Sequence, residues 1–388
     1  MSTLFFDATV FTPHTVLERH AVAVADDGTI AFVGPAEDAP EVHGPHLNLR
    51  GRILAPGFID IHVHGGNGIG FGEKDLLKGL TDYSRWVAGN GVSGFLLSIA
   101  APSAAELTQM TGAYAAILGR EMPGAEPLGL HLEGPFLNPE KKGAFNPAWL
   151  HTPSIEEAQG YLDAGKGWIR QMTIAPELPN AGPVANLLRK NGVTVALGHT
   201  NTDYETASRA LRGDFVHVTH TFNAQSSFDH RTPGVFGAVL SSDYVTAELI
   251  ADGVHVHPAP MKVLIRSLGT DRVVIITDAM TGAGLNEGTY WLAGNEVTVK
   301  DGRATLKNGT LAGSIATLDQ CVRNVHQLVG FPLHEAVKMA SLNPARAMGL
   351  GDRLGTIQPG KVASLTVIDE DVHVYLTMVK GKIVYNNL

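Results

Sequence analysis

Cysteine is almost absent: Cys321 is the only one in 388 residues. No disulfide can form within the chain, and a reducing compartment, the cytoplasm, is expected. Long apolar runs are missing too. None reaches the roughly 18 residues of a membrane span, so no membrane association is expected. The opening segment MSTLFFDATVF has an early Asp7 and no basic stretch, unlike a secretion signal. Positive charge is in deficit: 29 Lys and Arg against 38 Asp and Glu give a net charge of −9. That argues against the broad basic face of a nucleic-acid binder, while a small phosphorylated ligand needs only a local positive pocket. The sequence has no long-period repeat and no low-complexity tract.

What is present suits a large packed core: 44% hydrophobic and 17% charged residues. The length exceeds the usual single core, so one large domain and a smaller one are expected. Residues 1–55 read as short strands broken by Asp-Gly and Gly-Pro turns, and residues 356–388 read the same way. Both chain ends are therefore expected to build one small β-sandwich domain. Between them, eight apolar strand-like runs (57–64, 93–100, 127–134, 168–177, 193–200, 215–220, 244–252 and 272–279) alternate with helix candidates such as 104–118, 184–189 and 204–211. Alternation of this kind implies parallel βα units, and eight buried strands suggest an α/β fold of the (β/α)8 barrel type over 56–355. A segment at 289–309 reads as a β-hairpin inserted after the eighth strand.

In such a barrel the chemistry sits at the C-terminal strand ends, and the polar residues here gather there. Run one ends in His62 and His64, run three in Glu133, run five in His199, run six in His220 and run eight in Asp278. His62 and His64 are two apart, so on a strand they share a side. A lone strand-end histidine is commonly a hydrogen-bonded structural residue. Four of them with two carboxylates make a donor set suited to a divalent transition metal, zinc first. Such an ion lowers the pKa of bound water to roughly 7 and polarises a carbonyl, and a carboxylate that is not a tight ligand can shuttle protons. Asp278 is the candidate, and hydrolysis of an amide or related bond is the expected chemistry. His131, two before Glu133, reads as a packed core histidine, and His217 and His257 read as structural.

These residues resemble the amidohydrolase superfamily. The motifs PGFIDIHVHG, HLEGPF, LGHT, THTFNA, RTPG, DGVHV, ITDAM and NPA, in this order along nearly the whole chain, look like its N-acetylglucosamine-6-phosphate deacetylase family. Two other branches fit less well. Run four ends TIAPE, without the bridging lysine of many binuclear relatives, and Glu205 lies too far from His199 for the HxxE spacing of adenosine-deaminase-like members. The resemblance implies that Glu133, His199 and His220 hold a principal metal. It implies that His62 and His64 hold a second, with Glu133 bridging and Asp278 nearby. One or two divalent ions are thus expected, zinc first, with iron, cobalt or manganese as alternatives. It implies further that backbone amides at Asn223 and Ala224 hold a sugar 6-phosphate, with His255 and an Arg231 reaching from the neighbouring subunit of a homodimer. Phe145 in KKGAFNP stands where many members carry a histidine, and a phenyl ring cannot donate a hydrogen bond. The expected reaction removes acetate from N-acetylglucosamine 6-phosphate. The galactosamine epimer or another N-acyl amino sugar is the alternative substrate, and a non-catalytic barrel scaffold is the alternative of another class.

Overall fold

The computed structural model describes residues 3–72 and 75–388. Its centre is an all-parallel sheet of eight strands in sequence order: Phe58–Asp60, Val92–Ile99, Glu126–Glu133, Ile169–Ile174, Thr194–Leu197, Phe215–Val218, Thr246–Ile250 and Val273–Ile276. Their residues are buried almost throughout, as in Val92–Ile99 and Val273–Ile276. Parallel strands covered on both faces read this way, as near-continuous apolar runs. The segments that follow the first and last strands meet. The Asp278 N–H donates to the His62 carbonyl at 2.9 Å and the His64 N–H to the Ala279 carbonyl at 2.8 Å. One turn deeper, buried Asp60 accepts from the Thr277 hydroxyl at 2.5 Å and from its N–H at 3.3 Å.

The helices between strands begin where the sequence offers a cap. Ser103 accepts from the Glu106 N–H at the head of Ala104–Ala115, Ser154 from Glu157 N–H before Ile155–Gly165, and Asp203 from Thr206 N–H before Tyr204–Leu211. Each cap satisfies one of the amides a helix start leaves orphaned. The apolar face then packs on the sheet, as Ala207 and Leu211 do.

Strands from the two chain ends share a second, mixed sheet. Its order is Lys382–Asn386, Val374–Val379, Leu365–Ile368, Ile53–Pro56, Thr3–Phe11, Val16–Val24 and Ile30–Pro35, with His46–Asn48 paired beside Thr3–Phe11. Phe5, Val22, Leu54, Val367 and Met378 fill its core. The segment read as a hairpin holds three antiparallel strands, Gly288–Leu292, Asn295–Lys300 and Arg303–Thr305. The third forms because the turn at Asp301 and Gly302, both at positive φ, sends the chain back along the second strand.

Candidate metal centre and active site

The ends of the central strands bring six side chains to one point. Glu133, the last residue of its strand, directs Oε1 at the Nε2 atoms of His199 (3.1 Å), His220 (3.2 Å) and His62 (3.4 Å), and Oε2 at His64 Nε2 (3.1 Å). Asp278 Oδ1 lies 3.3 Å from His64 Nε2 and 3.6 Å from His62 Nε2. Two donor groups result, Glu133 with His199 and His220, and His62 with His64 and Asp278. All six expected residues therefore converge. The His62–His64 pair lies just beyond the strand, which ends at Asp60, and the hydrogen bonds to Asp278 and Ala279 carry its extended course onward.

The backbone bends to achieve this. His199, His220 and Asp278 have φ of 46°, 26° and 49°, a region non-glycine residues rarely occupy and one that clusters at functional sites. Gly198 lets the chain turn before His199: a Cβ there would sit 2.7 Å from Thr219 Cβ and 2.8 Å from Thr173 Cγ2. Gly143, at φ 57°, lies against His199, where a Cβ would sit 3.1 Å from ring Cε1. The outer ring nitrogens are fixed as well. His199 Nδ1 lies 2.8 Å from the Lys141 carbonyl and His62 Nδ1 2.8 Å from Glu248 Oε2. Such partners select the tautomer and turn the opposite nitrogen inward.

A divalent ion fits this donor set. The buried His62 Nε2 has no hydrogen-bond partner. The Nε2 atoms of His199 and His220 face each other at 3.0 Å, a pair in which at most one can donate. Imidazole and carboxylate donors are those that zinc and its neighbours take. Without the ion the charges couple strongly. Burial works against a charged His62 or His64, but the surrounding carboxylates outweigh it and hold His62 well above the usual imidazole range and His64 at about 9. Burial would likewise raise Glu133 and Asp278, yet the histidines, His62 foremost, keep Glu133 well below and Asp278 below the ordinary carboxylate value.

The centre opens into a cavity of about 770 Å³, within the range of small-molecule sites, lined among others by Phe145, Trp149, Asn223, Ala224, His255 and Trp291. Asn223 turns its own N–H to the His220 carbonyl at 3.0 Å, and Phe222 and Ala224 on either side have φ of 83° and 49°. Asp252 Oδ2 holds His255 Nδ1 at 2.7 Å; burial opposes a charge on that ring, and the carboxylate overcomes it and raises its pKa. Phe145 is buried with Leu137 and Leu150 and meets the His199 ring edge-on, centroids 5.3 Å apart. Arg231 lies in an exposed turn, its N–H on Asp229, and is not among the residues lining the cavity of its own chain.

Sequence reasoning passed over two carboxylates. Glu248 is fully buried and bonds His62, His217, Gln171 and the His220 N–H. Glu177 accepts from the Thr200 hydroxyl at 2.5 Å, the Asn201 N–H at 2.9 Å and Asn138 Nδ2 at 2.8 Å, holding the turn behind His199. Glu248 did leave a signal: a lone carboxylate within the apolar run YVTAELIAD, a placement that is costly unless paired. His131 is buried between Ser98 and Thr173, and His217 between Thr246 and Glu248.

Residues 53–384 match the model of the amidohydrolase family. An N-acetylglucosamine-6-phosphate deacetylase of Bacillus subtilis is 32% identical, over 99% of this chain and 97% of its own length. An N-acetylgalactosamine-6-phosphate deacetylase of Escherichia coli O157:H7 is 34% identical, over 95% of each chain. Among solved structures, a variant of N-acetyl-D-glucosamine-6-phosphate deacetylase from Mycobacterium smegmatis, in complex with N-acetyl-D-glucosamine 6-phosphate, superposes with a TM-score of 0.91. It has 31% identity and covers 99% of this chain and 100% of that one.

Proposed function

Since the chain belongs to the amidohydrolase family, we propose from its site that it hydrolyses N-acetylglucosamine 6-phosphate to glucosamine 6-phosphate and acetate. The observation that carries this is the convergence of Glu133, His199, His220, His62 and His64 beside Asp278, at a cavity that Asn223, Ala224 and His255 also line. In this reading the central strands close into a (β/α)8 barrel, residues 56–355, and residues 1–55 with 356–388 form the small β domain. The hydrogen bonds joining the segments just past strands one and eight support the closure. The single buried thiol, Cys321, suits the cytoplasm.

Glu133, His199 and His220 would hold one divalent ion and His62 and His64 a second, with zinc the first choice. When bound, such an ion lowers the pKa of water and polarises the acyl carbonyl. Asp278, its carboxylate kept ionised by the adjacent histidines, takes the proton of the attacking water and returns it to the departing amine nitrogen. The Ala224 N–H, Asn223 and His255 orient the phosphate end; backbone amides in such a turn suit a dianion. Arg231, in its exposed turn, completes the phosphate site of the partner subunit in a homodimer. Phe145 gives the acyl group an apolar neighbour beside His199, so the carbonyl finds no donor there.

The test is an assay of metal-reconstituted protein on N-acetylglucosamine 6-phosphate, its galactosamine epimer and unphosphorylated N-acetylglucosamine. Acetate release should be fastest with the first and poorest with the last. Preference for the galactosamine epimer would move the assignment to the sister substrate. No release from either phosphorylated sugar would contradict it.

A further inference from the structure

Glu248 touches both donor groups, and the reaction as derived gives it no part. It stands in the strand Thr246–Ile250 with no exposure to solvent. Its Oε2 takes two partners, His62 Nδ1 at 2.8 Å and the His220 N–H at 2.9 Å. Its Oε1 takes Gln171 Nε2 at 2.7 Å and His217 Nε2 at 3.2 Å. Its carbonyl accepts the Thr221 N–H at 2.9 Å. One residue therefore holds His62 by its ring and the His220–Thr221 segment by its backbone.

We propose that Glu248 is the positioning residue that sets metal occupancy at His62 and His64, by deciding which nitrogen of His62 carries the proton. A carboxylate cannot donate, so Nδ1 keeps its N–H against Glu248, and Nε2 is the nitrogen left to give up its proton to an incoming ion. Nε2 lies 3.4 Å from Glu133 Oε1 and 3.6 Å from Asp278 Oδ1. Two carboxylates thus favour an N–H at Nε2 once Nδ1 loses its acceptor, and a protonated Nε2 cannot ligate. The Glu133–His199–His220 group depends on Glu248 only through the His220 backbone. The ring of His199 is held instead by the Lys141 carbonyl.

Glu248→Gln separates these effects. Its side-chain oxygen can still accept the His220 N–H, and the Gln171 amide, whose buried oxygen lacks a partner, can flip to meet the new NH2. His62 loses its charged acceptor, or faces an NH2 that forces the proton onto Nε2.

The inference rests on the reading that His62 and His64 bind a second ion. The measurement is zinc stoichiometry and affinity by competition with a chromophoric chelator. The proteins are wild type, Glu248→Gln and the His62→Ala/His64→Ala double variant, each with its thermal midpoint in metal-stripped form. Wild type should bind two ions and the double variant one. Glu248→Gln should bind the second about 10–100-fold more weakly and the first within about threefold of wild type, the scale of a lost outer partner. Should Glu248→Gln not fold, Glu248→Asp keeps the charge but withdraws it by one methylene and is read in the same way. Equal weakening of both ions with a lower midpoint would show a merely structural role and overturn the inference, as would wild-type affinity for both. One ion in wild type and one in the double variant would overturn the two-ion reading itself, and the inference with it.

Discussion

The Nε2 atoms of His199 and His220 lie 3.0 Å apart, and each is within 3.2 Å of the same Glu133 oxygen. Three donors to one centre, delivered by three different strand ends, cannot be satisfied by a shared proton. They are what a divalent ion asks of a protein.

Metal removal should make stability depend on pH in a defined direction. In the metal-stripped protein His64 is pushed up to about 9, because Asp278 and Glu133 overcome the burial that opposes its charge. A folded pKa above the unfolded value of about 6.5 contributes stability that is full below pH 6.5 and lost as pH rises through 9. The stripped protein should therefore melt at progressively lower temperature between these values. Metal must displace this proton, so apparent affinity should rise with pH over the same window, by up to about tenfold per unit. Thermal scans and chelator competition at several pH values check both; a stripped midpoint that climbs toward pH 9 would contradict the coupling.

Asp278→Asn should keep the fold and the Glu133–His199–His220 ion but lose turnover, because an amide cannot take the proton of water. A fall of about 10²–10⁴-fold in kcat, with KM little changed, is the expected size for a lost general base. Steady-state kinetics on metal-analysed protein decides it, and activity within tenfold of wild type would remove Asp278 from this role.

How far the site could be read in advance depended on the kind of constraint. His62, His64, Glu133, His199, His220 and Asp278 were legible because each ends an apolar run, and parallel α/β sheets keep their chemistry at the carboxyl ends of the strands. The eight strands were legible because burial on both faces makes them continuously apolar. Glu248 and Glu177 were less visible, since what they do depends on partners up to 186 residues away in sequence, as His62 is from Glu248. The third strand of the insert was also missed. Arg303–Thr305 is three residues long, too short for periodicity to reveal, and it forms by pairing with Thr298–Lys300.

Arg231→Ala tests the phosphate and the assembly together. A charge-assisted bond is worth about 1.5–3 kcal/mol, one to two decades in affinity. The substitution should weaken N-acetylglucosamine 6-phosphate by that amount and leave the unphosphorylated sugar almost untouched. Mixing Arg231→Ala with Asp278→Asn should restore activity, since one site of the mixed dimer keeps both groups. No restoration despite demonstrated subunit exchange would place the arginine within its own chain.

Phe145→Ala should cost stability more than its place beside the cavity suggests. The ring is buried with Leu137 and Leu150 and braces His199 edge-on. Removing a packed phenyl costs about 3–5 kcal/mol. Denaturant unfolding of metal-stripped protein checks it, and a loss below about 1 kcal/mol would mean the ring contributes little packing there.

The most direct measurement is a paired product count. Protein loaded with metal, and the same protein after chelation, are given N-acetylglucosamine 6-phosphate, and acetate and primary amine are quantified together. Loaded protein should release equal amounts of both products, stripped protein none above background, and adding the metal back should restore release. Undiminished release from the stripped protein, or no release from the loaded one, would contradict metal-dependent deacetylation.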